Sequence, residues 1–306
     1  MRIAFLGTPE FALPVLQALI DRGETLAVFT QPDRPVGRKA ILTPPPVKVL
    51  AAKNGIPVYQ FEKIRSEEGL AALTAFAPDL MVTAAFGQLL SARNLAIPRL
   101  GTINVHGSLL PKYRGASPIQ TAILNGDAIT GVTTMFTDIG MDTGDMLLKR
   151  EVAIFPDDTY ETLSDRLSKV GAKLLCETLD ALEAGTLVRI PQNAAEATVC
   201  HLIKKEDGKL DFSEPVRRVY DRIRAMNPWP VAFAELDGQT LKIYESVPSN
   251  RAENAEPGTL RSDKKRLFVR CADGWLEIRS LQAPGKKRMD AASYLNGCDP
   301  DGKVLL

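Results

Sequence analysis

Asn104 and His106 stand two residues apart in Thr-Ile-Asn-Val-His-Gly, residues 102 to 107. Branched and apolar residues that end at a glycine predict a short strand. Positions two apart on a strand share a face, so the amide and the imidazole point one way and Val105 the other. An amide can donate to an oxygen on which negative charge develops, and an imidazole can move a proton near neutral pH. The next stretch, Gly-Ser-Leu-Leu-Pro-Lys-Tyr-Arg-Gly, is too long for a tight hairpin and reads as a ligand-binding loop. Within it Arg114 could pair with a substrate carboxylate or phosphate, or clamp its own loop. Further on, the glycine-punctuated run Asp138-Ile-Gly-Met-Asp-Thr-Gly-Asp145 carries Asp142. A lone histidine in a strand also serves a core, and an aspartate between glycines also serves a turn.

The elements around these residues predict how they are positioned. Residues 2–6, 25–30 and 79–85 read as buried strands, 102–106 as the strand of the amide and imidazole, and 132–137 and 146–151 as two more. Helices are predicted with Thr8 as N-cap and Pro9 as first residue to about Asp21, from Pro46, over 66–76, near 116–125, and from a capping box at Asp158 and Glu161 to about Gly185. Strands alternating with helices make an α/β, Rossmann-like unit with a mostly parallel sheet, whose strand carboxyl ends bind ligands. A strand–glycine–helix start at Gly7-Thr8-Pro9 could hold a phosphate. The full Gly-x-Gly-x-x-Gly pattern is missing, so a tight turn is the favoured reading there.

Past residue 185 periodicity fades, and 189–205 reads as a linker between a domain at 1–188 and another at 206–306. After a helix over 214–225, short strands are predicted at 231–236, 240–247, 258–261, 266–271 and 275–282. Asp237-Gly238 and Asp273-Gly274 are hairpin signals. Such spacing predicts a small OB-like β-barrel.

Composition excludes several classes. The 306 residues carry 38 basic and 37 acidic side chains, a formal net charge of +1, so the chain is no uniformly basic nucleic-acid coater. Charge is uneven, however: residues 258–290 hold nine Lys or Arg against four Asp or Glu, and a polyanion would be sought there. Four cysteines without paired spacing and only two histidines argue against a zinc site and leave the metal expectation at none. No apolar run approaches the ~20 residues of a membrane span, which predicts a soluble, cytoplasmic protein.

The run from Asn104 and His106 through Gly115 resembles the signature of the 10-formyltetrahydrofolate-dependent formyltransferases. The stretch Asp138–Asp145 resembles the family's second signature, and the likeness extends from Phe5-Leu6-Gly7-Thr8-Pro9 to Gly285-Lys286-Lys287. The resemblance implies a catalytic set of Asn104, His106 and Asp142, in which the carboxylate orients the imidazole. It also implies a folate site drawn from Phe86, Gln88, Leu89, Ser108, Leu109, Leu110, Pro111 and Asp138, with 10-formyltetrahydrofolate as formyl donor.

Within the family the likeness is to members whose acceptor is the methionyl group of initiator tRNA. This implies tRNA contacts at Arg34, Arg38, Lys39, Lys204, Lys205, Lys286, Lys287 and Arg288, and a monomer. In those members a Gly-Arg-Gly-Lys-Lys segment enters the acceptor end, whereas this chain has Gly37-Arg38-Lys39-Ala40, shorter and less charged. The alternatives are a small amine acceptor (an amino-sugar nucleotide or glycinamide ribonucleotide), hydrolysis of the formyl donor, and a noncatalytic RNA-binding protein.

Overall fold

Strand β1 (Arg2–Gly7) and β2 (Thr25–Thr30) flank helix α1 (Leu13–Asp21). Ile3 through Leu6 have no exposed surface, as continuous apolar runs require when a sheet is covered on both faces. Next come the antiparallel pair β3 (Arg34–Val36) and β4 (Ile41–Thr43), helix α2 (Pro46–Lys53) and β5 (Val58–Gln60). Helix α3 (Glu67–Phe76), β6 (Leu80–Ala84), the short α4 (Ala92–Leu95) and β7 (Thr102–His106) follow. The rest of this half comprises β8 (Arg114–Gly115), α5 (Pro118–Leu124), β9 (Ile129–Phe136), β10 (Met146–Ala153), α6 (Tyr160–Glu183) and β11 (Val199–Cys200).

This computed structural model describes residues 1–37 and 39–306. Seven strands make the main sheet in the order β10-β9-β7-β6-β1-β2-β5. The pairs from β7 to β5 are parallel, while β7–β9 and β9–β10 are antiparallel. The chain leaves β1 in one direction to β2 and β5, then returns to the other side with β6 and β7. Such a reversal opens a crevice at the strand carboxyl ends, and Thr83, Asn104 and His106 all lie at or near those ends.

By contact the chain divides into one unit of Met1–Pro118, Ile129–Ala153 and Ser164–Cys200, and another of Ile119–Ala128, Ile154–Leu163 and His201–Leu306. Residues 189–200, which read as linker, are fastened to the first unit. Ile190 exchanges two backbone hydrogen bonds of 2.9 Å with Met146, and β11 pairs parallel with β8. The box predicted at Asp158 and Glu161 is replaced by one a residue later. Thr162 N donates to Thr159 Oγ1 at 3.3 Å and Thr159 N to Thr162 Oγ1 at 3.0 Å. Asp158 instead accepts from Phe155 N at 2.7 Å, tying down the turn before the helix.

In the second unit α7 (Val216–Ala225) precedes an antiparallel sheet of β12 (Ala232–Leu236), β13 (Gln239–Ser249), β14 (Leu260–Asp263), β15 (Arg266–Arg270), β16 (Trp275–Gln282) and β17 (Met289–Asp290). Its main path is β12-β13-β16-β15-β14. Asp237 and Gly238, with φ of 51° and 74°, make the two-residue turn from β12 to β13 that their types predict. The end strands would expose unpaired backbone, and the last residues cover both. Leu306 exchanges hydrogen bonds of 2.9 and 2.8 Å with Glu235 on one edge, while Leu305 and Lys303 bond Gly258 and Leu260 on the other. The tail thereby closes the ring around Leu241, Ile243, Leu267, Ile278 and Leu281.

Candidate active site

Neighbouring parallel strands set the first contact. In the β6–β7 register Thr83 lies opposite Asn104. The Thr83 hydroxyl donates to Asn104 Oδ1 at 2.9 Å, which fixes the amide so that Nδ2 faces the loop of Asp142. Nδ2 lies 3.4 Å from Asp142 Oδ1, a long hydrogen bond.

His106, at the carboxyl end of β7, is 5% exposed. Its Nε2 lies 2.9 Å from the carbonyl oxygen of Tyr113. A carbonyl can only accept, so Nε2 carries the hydrogen, and in the neutral ring the lone pair sits on Nδ1. Nδ1 faces Asp142 Oδ2 at 3.7 Å, too far for a hydrogen bond but close enough for the carboxylate to stabilise an imidazolium. The same Oδ2 accepts the backbone N–H of Gly115 at 2.8 Å. Asn104, His106 and Asp142 are therefore brought together, from a strand and from a loop 38 residues away. What they can do chemically follows. The second N–H of the Asn104 amide can stabilise a developing oxyanion, and Nδ1 beside a carboxylate can accept a proton.

Around them the loop 107–115 is tied down by its own backbone. Ser108 is fully buried, and its hydroxyl donates to Lys112 O at 2.6 Å. Thr133 Oγ1 donates to Ser108 O at 2.7 Å and accepts from Leu110 N at 3.1 Å. Lys149 Nζ donates to Leu110 O at 2.6 Å. Leu110 and Pro111 are buried and Leu109 half-buried. Arg114 Nε donates to Gln192 Oε1, outside this loop, at 2.9 Å.

The other residues read as folate contacts divide. Phe86 is buried, its carbonyl held by Thr8 Oγ1 at 3.0 Å, while Leu89 is 70% exposed. Gln88 is spoken for, since its amide accepts from Ile64 N at 2.6 Å and donates to Phe61 O at 2.8 Å. Asp138 accepts from Gly140 N at 3.0 Å and Thr143 Oγ1 at 2.7 Å, so it shapes the loop that presents Asp142.

The basic residues also divide. Arg34 makes a two-pronged pair with Glu62 at 3.0 and 2.6 Å, and Arg288 pairs with Glu245 while lying over the Tyr244 ring. Lys39, Lys204, Lys205, Lys286 and Lys287 are exposed. Arg38 lies outside the described residues. Sequence reading missed Thr83, Thr133, Gln192 and Thr198. A hydroxyl inside the apolar run of β6 was a signal for Thr83, whereas Gln192 and Thr198 sit in a stretch without periodicity. Among the described residues no group of three or more His, Cys, Asp or Glu could hold a metal ion, and no helix is long and apolar enough to cross a membrane.

Two family models match the chain. One, formyl transferase, covers residues 1–179, and the other, formyl transferase C-terminal domain, covers residues 202–299. The chain is 51% identical over 298 residues to a methionyl-tRNA formyltransferase of Geotalea uraniireducens, covering 97% of this chain and 95% of the relative. Among solved structures it is similar to a methionyl-tRNA formyltransferase from Clostridium thermocellum, with a TM-score of 0.60 at 18% identity over 82% of this chain and 94% of the other. HypX from Aquifex aeolicus in complex with tetrahydrofolic acid gives a TM-score of 0.67 at 17% identity over 96% of this chain, which spans about half (47%) of that protein. Matching models in both halves, and relatives near one-half identity along nearly the full length, have one consequence: the chain belongs to the formyl transferase family.

Proposed function

We propose that the protein transfers the formyl group of 10-formyltetrahydrofolate to the α-amino group of methionyl-initiator tRNA, giving N-formylmethionyl-tRNA for translation initiation. The convergence of the Asn104 amide, His106 Nδ1 and the Asp142 carboxylate at the carboxyl end of β7 carries this reading. The reaction joins an amine nitrogen to the formyl carbon and releases the folate nitrogen, through a tetrahedral carbon bearing an oxyanion. Asn104 donates to that oxygen, and Thr83 keeps the amide from turning its own oxygen toward it. His106 Nδ1 takes the proton the amine loses, and Asp142 holds the imidazolium until the proton passes to the leaving nitrogen. These roles need no nucleophile on the protein, and no cysteine lies in either stretch.

The donor is read to lie along Phe86, Leu89 and Ser108–Pro111, with Gln88 and Asp138 supporting the loops rather than touching it. The acceptor assignment draws on the relatives that carry the methionyl-tRNA formyltransferase name across both halves of the chain. Lys39, Lys204, Lys205, Lys286 and Lys287, exposed and outside the ion pairs, are read as the cations that meet its phosphates, and the enzyme acts in the cytoplasm as a monomer. The test is to incubate the protein with 10-formyltetrahydrofolate and either methionyl-initiator tRNA or amino-sugar nucleotides. Formylmethionine released from the tRNA supports the assignment. Formylation of the sugar amine alone would transfer the same chemistry to a small acceptor.

A further inference from the structure

Residues 180–201 fall between the two family-matched stretches, yet they carry the polar ties that grip the reaction centre. Gln192 Nε2 donates to the carbonyl oxygens of Asp142 and Gly144, each at 2.8 Å, and its Oε1 accepts from Arg114. Thr198 Oγ1 accepts from Tyr113 N at 2.8 Å, its carbonyl from Arg114 N at 2.8 Å, and its own N–H donates to Pro111 O at 3.2 Å. Behind it the Cys200 thiol donates to the carbonyls of Tyr113 and Arg114 at 3.5 and 3.3 Å. The Ile190–Met146 bonds anchor the other end.

Two of the partners are unusual in their backbone. Tyr113 and Asp142 have φ of 60° and 52°, the left-handed region, which aspartate tolerates and a tyrosine adopts uncommonly. Gln192 bonds the backbone of one and Thr198 the backbone of the other. These same two residues hold His106 from opposite sides, the Tyr113 carbonyl at Nε2 and the Asp142 carboxylate facing Nδ1.

We infer that residues 190–200 form a strap in which Gln192 and Thr198 are positioning residues for the reaction. Thr198, through Tyr113, keeps the ring in its Nε2–H form, and Gln192, through the Asp142 backbone, keeps the carboxylate beside Nδ1. The inference rests on the formyl-transfer reading for its kinetics, while the state of the ring can be read without substrates. A strap that merely stabilised the fold would leave the ring's proton where it is.

The experiment compares the parent with Thr198→Val, Thr198→Ser and Gln192→Leu, in full-length protein and in a His106→Ala background. His106 and His201 are the only histidines, so the ring ¹⁵N shifts of His106 separate readily, with His201 as internal reference. In Thr198→Val the ring should leave its pure Nε2–H pattern for a mixture of tautomers, and Thr198→Ser should restore it. Turnover in Thr198→Val and Gln192→Leu should fall about tenfold or more, with KM for both substrates within about twofold. In the His106→Ala background the same changes should cost nothing further, because they act through that ring. An unchanged ring pattern in Thr198→Val, or a turnover loss that persists undiminished without His106, overturns the strap. Should Thr198→Val not fold, Gln192→Leu is read by its turnover loss in the two backgrounds, with the same outcomes deciding. A parent that transfers no formyl group to tRNA, but whose ring shifts as described, refutes the functional reading and leaves the strap standing.

Discussion

The candidate reaction centre and the basic side chains read as tRNA contacts hold their polar groups in opposite ways. Around His106 several polar groups are committed to specific neighbours: Thr83 to Asn104, Gly115 N–H to Asp142, Tyr113 O to His106. Among the basic side chains, sequence counting overstates the free charge. Arg34, Arg266 and Arg288 are paired with Glu62, Asp263 and Glu245, and Arg261 shares Glu253 with Arg251. No ion pair among the described residues involves Lys39, Lys204, Lys205, Lys286 or Lys287. On the proposed reading, chemistry comes from groups that are fixed, and phosphate attraction from groups that are unpaired. Counterion release needs only a mobile cation near a phosphate, whereas oxyanion stabilisation needs a donor already aimed.

The sharpest way to break this contrast is to remove fixed groups. Asn104→Ala and Asp142→Asn should each lower turnover by about 10²-fold or more, with folding and tRNA affinity retained. Because the amide and carboxylate serve one site, the double variant should lose less than the product of the single losses. Losses that multiply fully would mean the two act independently. A smaller effect is expected one contact further out. Thr83→Val removes the hydroxyl that fixes the Asn104 amide, at a cost of about one hydrogen bond, so turnover should drop roughly five- to tenfold. Full activity in Thr83→Val would show that the amide orients itself.

Among the unpaired cations, Lys286→Gln with Lys287→Gln should flatten the salt dependence of tRNA binding by about one unit of slope per lysine. Arg288→Gln should flatten it less, because Glu245 already engages that guanidinium, and should loosen the barrel by freeing Ser280 and Tyr244. Equal slopes for the lysine and arginine variants would erase the distinction between free and paired cations. The smallest effect concerns Asp33, before the β3–β4 pair. Hydrogen bonds from Gln60 and Lys48 hold its carboxyl below the usual range. A depressed carboxyl contributes stability above the ordinary aspartate value, and that contribution is lost as pH falls through the lowered folded value. Asp33→Asn should therefore lower the melting temperature slightly at pH 7, with the difference closing as pH falls through the lowered folded value. A gap that widened in acid would reverse the assignment.

What the sequence made legible depended on distance along the chain. The buried strands were written as unbroken apolar runs, and the pairing of Asn104 with His106 as a two-residue spacing. The turn at Asp237-Gly238 was written in residues that tolerate positive φ. Illegible were contacts whose partners lie far away. Arg34 finds Glu62 across 28 residues and Arg288 finds Glu245 across 43, so neither pair leaves a local pattern. Gln192 and Thr198 hide for the same reason, since they bond loops 48 to 85 residues back from a stretch that reads as connector. The capping box misread at Asp158 shows the limit from the other side. Two threonines at helix spacing serve as well as the acidic pair, and only the geometry chooses between them.

The central claim, that the His106 imidazole moves the proton in formyl transfer, is tested most directly by single-turnover kinetics with both substrates saturating. The parent is compared with His106→Ala, whose folding is checked by its melting curve. The account predicts that the formyl-transfer step slows by about 10²- to 10⁴-fold while tRNA and folate affinities stay within a few-fold of the parent. A folded His106→Ala protein that transfers the formyl group at the parental rate would contradict it.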